Sequence, residues 1–302
     1  CKICEHILGN VSFHKQNISF IICENCSHLN GHHEDTDEFC NAIYTDDGGI
    51  SYGENYTASD RSAYIKRRDD IYGPKADFMI DSLVEVGDTP QNLRYADFGA
   101  GAGYFVSALR DKNISAVNGY EASKYQANMG NYIIGKDSIK NHKLSEIDSI
   151  VESIKVDVVS MIGVLEHIQK PRQFMQALHK NTNIRYFFIS VPLFSPCVYF
   201  EMAFPDIMHR QLTGGHTHLF TKNSLDYLAK EFGLTEKAVW WFGADIVDLF
   251  RSILIRIQKQ PETTHMADKW QDLMEPVLDD LQLVLDEKQL SSEVHILYQI
   301  TR

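Results

Sequence analysis

The sequence predicts a doubly wound α/β fold with a small N-terminal module, and three observations carry that expectation. From about residue 75 onward, apolar strand-like stretches alternate with amphipathic helix-like ones, the pattern of a parallel sheet covered on both faces. One strand-to-helix join is the glycine-rich run Asp97-Phe98-Gly99-Ala100-Gly101-Ala102-Gly103. Ahead of this region stand four cysteines in two C-x-x-C pairs. With 302 residues, the chain is long enough for one large domain and a small one.

The elements follow in order. Pro74 opens a helix at its first turn, where its missing N–H costs nothing; Phe78, Met79, Leu83 and Val86 share one side, and Gly87 stops it. Residues 93–96 read as the first strand and 115–120 as the second. The nearly continuous apolar run 155–162 suits a central parallel strand buried on both faces. Stretches 104–111, 124–132 and 172–180 read as crossover helices, and 185–191 as a fifth strand stopped by Pro192. Residues 222–232 form an amphipathic helix with Gly233 as its stop, and 234–242 and 293–300 are the last strands. Stretches 244–257 and 268–287 look like added helices that cover the active-site end or build a subunit contact.

The glycine run specifies its ligand. Glycines at alternate positions let the backbone take positive φ and approach a ligand closely, with the next helix N-terminus facing it. A dinucleotide loop is spaced G-x-G-x-x-G; here the third glycine comes one residue early and an aspartate stands two before the first. The Asp97 carboxylate would repel a pyrophosphate but accept from an ammonium, which disfavours a dehydrogenase. Glu121 lies at the end of the second strand, about twenty residues past the glycines, where such folds keep an acid for ribose hydroxyls. The run fills the pattern [DE]-x-G-x-G-x-G, and Val164-Leu165-Glu166-His167 follows the fourth strand; in both, residues 75–302 resemble the class I S-adenosylmethionine-dependent methyltransferases. That resemblance implies a Rossmann-like sheet with an antiparallel last strand, and S-adenosylmethionine held by Asp97, Gly99, Gly101, Gly103 and Glu121.

Cys1 and Cys4, with Cys23 and Cys26 about eighteen residues on, have the spacing of a zinc ribbon, with hairpin strands at 11–13 and 18–22. Four thiolates close a structural site; disulfides or a redox pair are the alternatives. His28, His32 and His33 read as exposed loop residues, and Cys40 and Cys197 as unpaired thiols. No signal peptide or membrane-spanning run is visible, so a reducing cytoplasm is expected. Against 41 acidic residues stand 29 Lys plus Arg, a net charge of −12. Glu34, Asp35, Asp37 and Glu38 follow the ribbon directly, so no basic face for nucleic acid is expected.

This layout resembles a family of sugar methyltransferases that carry an N-terminal zinc module. The expected division is a ribbon module at 1–45, a linker or lid at 46–74 and the methyltransferase domain at 75–302. The resemblance implies that Tyr56, within Tyr52-Gly53-Glu54-Asn55-Tyr56, folds over the methionine end of the cofactor. The expected acceptor is a hydroxyl of a nucleotide-linked sugar or surface-glycan intermediate. A hydroxyl needs a base, and a histidine can supply one, contributing roughly 10² to 10⁴-fold. The candidates are His216 and His218, in the loop Gly214-Gly215-His216-Thr217-His218, and His167, with Glu166 or Asp206 as orienting carboxylates. An extended H-x-H sends one of its histidines away from the site, and a third ligand that would make it a metal site is not evident. Trp240 and Trp241 could stack on a sugar face or pack in the core. Alternatives are a non-sugar small-molecule acceptor or a cofactor-binding protein without turnover; a homo-oligomer is left open.

Overall fold

The computed structural model describes residues 1–15, 18–31, 36–45, 60–207, 210–212, 216 and 218–302. Three short strands come first, β1 (Phe13–Lys15), β2 (Ile18–Ile22) and β3 (Leu29–Gly31), followed by α1 (Asp37–Tyr44). Helix α2 (Arg61–Arg67), capped by the Asp60 side chain on the Ala63 N–H, runs through a π-helical turn at Arg68–Tyr72 into α3 (Gly73–Glu85). The alternating region then reads β4 (Tyr95–Phe98), α4 (Tyr104–Asp111), β5 (Val117–Glu121), α5 (Lys124–Ile134), β6 (Ile139–Asn141), α6 (Ile147–Ser153), β7 (Val158–Ile162), α7 (Pro171–Lys180) and β8 (Tyr186–Pro192). It continues with α8 (Pro196–Ala203), β9 (His218–Leu219), α9 (Lys222–Glu231), β10 (Leu234–Phe242), α10 (Asp245–Lys259), α11 (Ala267–Met274), α12 (Leu278–Glu287) and β11 (Glu293–Ile300).

Seven strands make the central sheet in the order β10-β11-β8-β7-β4-β5-β6. The five from β8 to β6 are parallel, and β11 runs antiparallel to both β8 and β10. Successive side chains of a strand face opposite layers. Thus Phe98, Met161, Phe187 and Ile189 pack with Phe174 and Leu178 on one side, while Tyr95, Val158, Phe188 and Leu297 pack with Met79, Leu83 and Leu109 on the other. The chain leaves β4 toward β5 and β6 on one hand and β7 and β8 on the other, so the crevice between β4 and β7 is the topological switch point where such sheets hold ligands.

Several expectations change. The first hairpin strand begins at Phe13, not at residue 11. The stretch 268–287 is two helices, because Pro276 lacks an N–H for the ladder and sits in a 3-10 turn at Glu275–Val277. The short β6 and α6 carried too little periodicity to be anticipated. The added helices do not cover the cleft: α10 packs on α8, α11 and α12, and α12 on β10. The N-terminal module packs directly on the large domain. Its β3 pairs antiparallel with β9, forming a four-stranded sheet β1-β2-β3-β9. Ile3, Cys23 and Cys26 share a core with Phe98, Phe174, Leu225 and Phe232. No helix among the described residues is long and apolar enough to cross a membrane.

Candidate active site and metal centre

Residue Asp97 lies in register with Ser160 of β7, whose Oγ donates to Asp97 Oδ1 at 2.7 Å. Burial pushes the Asp97 carboxyl up to about 7 against that hydrogen bond, and the nearby Glu121 charge adds to the shift. The loop that follows is confined to glycine. At Gly99, φ is +68° and a Cβ would stand 2.3 Å from Val164 Cγ2. At Gly101, φ is +54°, which aims its N–H at Glu121 Oε2, 2.8 Å away. The other Glu121 oxygen accepts from the Ser123 N–H at 2.7 Å, so two backbone donors fix this carboxylate at the start of α5. Burial nonetheless raises its pKa. Gly103 does different work: it precedes α4 and packs against Ile134 and Ile139, away from the cleft.

Asp97, Gly99, Gly101 and Glu121 line a cleft of about 1080 Å³ over the carboxyl ends of β4, β5, β7 and β8. Helices α1, α2 and α3 contribute Tyr44, Arg67 and Lys75 to its lining. Lys75 Nζ stands 5.5 Å above the Phe242 ring, and burial lowers its pKa. Glu293 enters because β11 places it opposite Pro192 at the end of β8. No local motif marks these residues; the packing of the helices and the sheet order bring them together.

In the same cleft, Glu166, His167 and His216 converge, each offering one ligand atom within 4.8 Å of the others. Glu166 is 2 % exposed, and its Oε2 has no hydrogen-bond partner among the described residues. Burial pushes its carboxyl up to about 8, with Glu293 adding to the effect. His167 Nε2 lies 3.9 Å from Glu166 Oε1, and its Nδ1 is 3.1 Å from the Tyr44 hydroxyl. The His216 ring lies 5.1 Å from that of His167, and its Nδ1 donates to the Gln211 carbonyl at 2.6 Å. That bond leaves Nε2 with the lone pair, and burial holds the imidazole toward its neutral form. Of the H-x-H pair only His216 belongs to this cluster; the two side chains that join it, Glu166 and His167, come from the turn after β7, about fifty residues earlier in the chain.

Other candidates lie elsewhere. His218 is fully buried outside the cleft, with Nδ1 2.9 Å from His28 Nε2 and Nε2 3.3 Å from the Ile168 carbonyl. Burial drives its pKa to about 3, so it is a neutral bridge between module and domain, as the alternation of H-x-H requires for one of the pair. His28, expected to be exposed, is instead fully buried in the same bridge and also meets Ser224 Oγ at 3.2 Å. Asp206 orients none of the described histidines: it is exposed and pairs with Arg256 at 2.7 Å. Trp240 packs on Phe242 and His295, and neither Trp240 nor Trp241 lines the cleft. Tyr56, like His32, His33 and His209, lies outside the described residues.

The four N-terminal cysteines form a second cluster. All are free thiols, with Cys1 Sγ 3.6 Å from Cys26 Sγ, Cys4 Sγ 3.5 Å from Cys23 Sγ, and all four within 4.8 Å of one another. A zinc ion with bonds of about 2.3 Å sets its thiolates roughly 3.8 Å apart, so the cage fits one with small adjustment. Arg172 ties the first knuckle down, donating to the Ile3 carbonyl at 2.6 Å while pairing with Glu231. A second tie reaches the cleft. Lys15 of β1 pairs with Glu201 of α8, whose carboxylate also accepts from the backbone N–H groups of Arg210, Gln211 and Leu212. Burial pushes Glu201 upward, but these partners hold its pKa below the usual range.

The methyltransferase-domain family matches residues 70–237, more than half of the chain. No curated protein matches. Among solved structures, the chain is similar to the magnesium protoporphyrin IX methyltransferase of Synechocystis, with 10 % identity over 83 % of this chain and 100 % of that one, at a TM-score of 0.48. Geranyl diphosphate C-methyltransferase from Streptomyces coelicolor aligns at 10 % identity over 80 % and 84 %, with a TM-score of 0.48. An S-adenosylmethionine-dependent methyltransferase from Mesorhizobium loti aligns at 12 % identity over 72 % and 96 %, with a TM-score of 0.44.

Proposed function

Since this chain belongs to the methyltransferase-domain family, within the class I S-adenosylmethionine-dependent enzymes, we propose that it methylates a hydroxyl of a sugar, carried on a nucleotide or a surface-glycan intermediate. The observation that supports a hydroxyl acceptor is the cluster of buried Glu166 with half-buried His167 and His216, in the same cleft as the glycine loop. When bound, the cofactor supplies an electrophilic methyl on a sulfonium that leaves as a neutral thioether. Asp97 would take its ammonium, the backbone at Gly99 and Gly101 would let it approach, and Glu121 would take the ribose hydroxyls. His216, with Nδ1 held by Gln211, is the best placed histidine to accept the acceptor's proton as the new C–O bond forms. The sugar class is supported by the resemblance of the two-part layout and by the polar lining around Gln169, Gln173, Arg210 and Gln211. We assign the four-cysteine cage to structural zinc, and with it a reducing compartment, where thiolates persist as metal ligands.

Transfer of labelled methyl from S-adenosylmethionine to a panel of nucleotide-linked sugars tests the assignment, with product analysis for the O-methyl ether. Turnover with one of them is the expected result. Cofactor binding with transfer only to non-sugar acceptors would remove the sugar assignment. Absence of cofactor binding in calorimetry would remove the roles given to Asp97 and Glu121.

A further inference from the structure

The three side chains that would activate the acceptor also compose a ligand set, and we propose that Glu166, His167 and His216 bind one first-row divalent cation that holds and acidifies the acceptor hydroxyl. This rests on the placement of the acceptor given above and replaces a proton with a cation at the His216 lone pair. Two imidazoles and a carboxylate offer two nitrogens and an oxygen, all within 4.8 Å. Neighbouring ligands on a cation with bonds of about 2.0 to 2.2 Å stand roughly 3 to 3.6 Å apart, so the set, with His167 Nε2 3.9 Å from Glu166 Oε1, closes around the ion by side-chain adjustment.

A second observation points to the same ligand. The Glu166 carboxylate is 2 % exposed, yet Oε2 has no hydrogen-bond partner among the described residues. Buried carboxylate oxygens are ordinarily satisfied by donors or by a metal. The outer contact is also of the right kind: His216 donates its other ring N–H to the Gln211 carbonyl, the device that fixes tautomer and ring orientation in metal-ligating histidines. Three protein ligands leave positions open toward the cleft, where acceptor oxygens could complete the shell. This donor set suits Mn²⁺, Fe²⁺ or Co²⁺ as well as Zn²⁺, whereas the four thiolates at the N-terminus favour the softer Zn²⁺, so Mn²⁺ separates the two sites.

Nothing is oxidised or reduced. The cation lowers the pKa of the hydroxyl bound to it and the proton leaves to water; the oxygen forms the C–O bond as the methyl–sulfur bond breaks, and that electron pair stays on sulfur.

The test is titration of the full chain, with its cysteine site zinc-loaded, by Mn²⁺, followed through loss of the free-ion electron paramagnetic resonance signal. Wild type should take up one Mn²⁺ per chain saturably. Glu166→Gln and His216→Ala should each weaken that uptake at least tenfold, with zinc content and calorimetric affinity for S-adenosylmethionine unchanged. Absence of saturable uptake by wild type, or equal uptake by both variants, overturns the cation site. Full methyl transfer in buffers free of Mn²⁺ and other added cations, lost in His216→Ala, would also overturn it while leaving the base reading standing. Transfer unchanged in both variants would remove the two together.

Discussion

Asp97 sets a pH dependence that can be read in both binding and stability. Its carboxyl is raised to about 7 by burial, with Glu121 adding, so below neutrality it is protonated and cannot pair with the cofactor's ammonium. Affinity for S-adenosylmethionine should therefore fall as pH drops through about 7, and Asp97→Asn should flatten the profile; a wild-type affinity constant across roughly pH 6 to 8 would refute the assigned contact. The stability sign is opposite. A raised folded pKa contributes stability that is fully present below the unfolded value near 3.9 and is lost as pH rises through about 7. The two histidines of H-x-H should separate in the same spirit. His216→Ala should cut turnover by roughly 10² to 10⁴-fold with cofactor affinity intact. His218→Ala should instead lower stability by about 1–3 kcal/mol, because it removes the interior partner of His28 Nε2 and of the Ile168 carbonyl. Reversed behaviour in kinetics and denaturant unfolding would exchange their roles.

The elements around the acceptor end show how a distant hairpin reaches the site. Strand β1 supplies Lys15 to Glu201, Glu201 gathers the backbone of residues 210–212, and the Gln211 carbonyl orients His216. Lys15→Met should remove the Lys15 ammonium from the buried Glu201 carboxylate, a loss of up to about 3–5 kcal/mol for an interior pair. Its kinetic mark should be a reduced kcat with cofactor affinity retained, since Asp97 and Glu121 belong to strands on the other side of the switch point. An unchanged kcat at a temperature where the variant is folded would show that the loop holds His216 without β1.

For the whole molecule, the shared packing of Ile3, Cys23 and Cys26 with Phe98 and Phe174, and the pairing of β3 with β9, make the module part of one cooperative body. Removing zinc from the cysteine cage should move the entire thermal transition downward. Calorimetry with and without a chelator checks this; an early separate transition with the main one unmoved would show that the module melts alone. The added helices leave Leu273, Leu281, Leu283 and Val284 exposed on α11 and α12, facing away from the cleft.

Within the chain, the alternation of strands and helices, the acid-and-glycine loop, Glu121 and the cysteine spacing were legible because each depends on near neighbours: periodicity of burial, a φ that only glycine accepts, and turn geometry. Helix 104–111 and strands 234–242 and 293–300 coincide with the observed elements for that reason. Tertiary structure alone decided the rest. Which of His216 and His218 faces the cleft, the burial of His28, the arrival of Glu166 and His167 beside His216, and the stitching of the module through β9 all depend on contacts spanning about fifty to two hundred residues. Such contacts are set by strand order and by the filling of a common core, and no local pattern of residues encodes them.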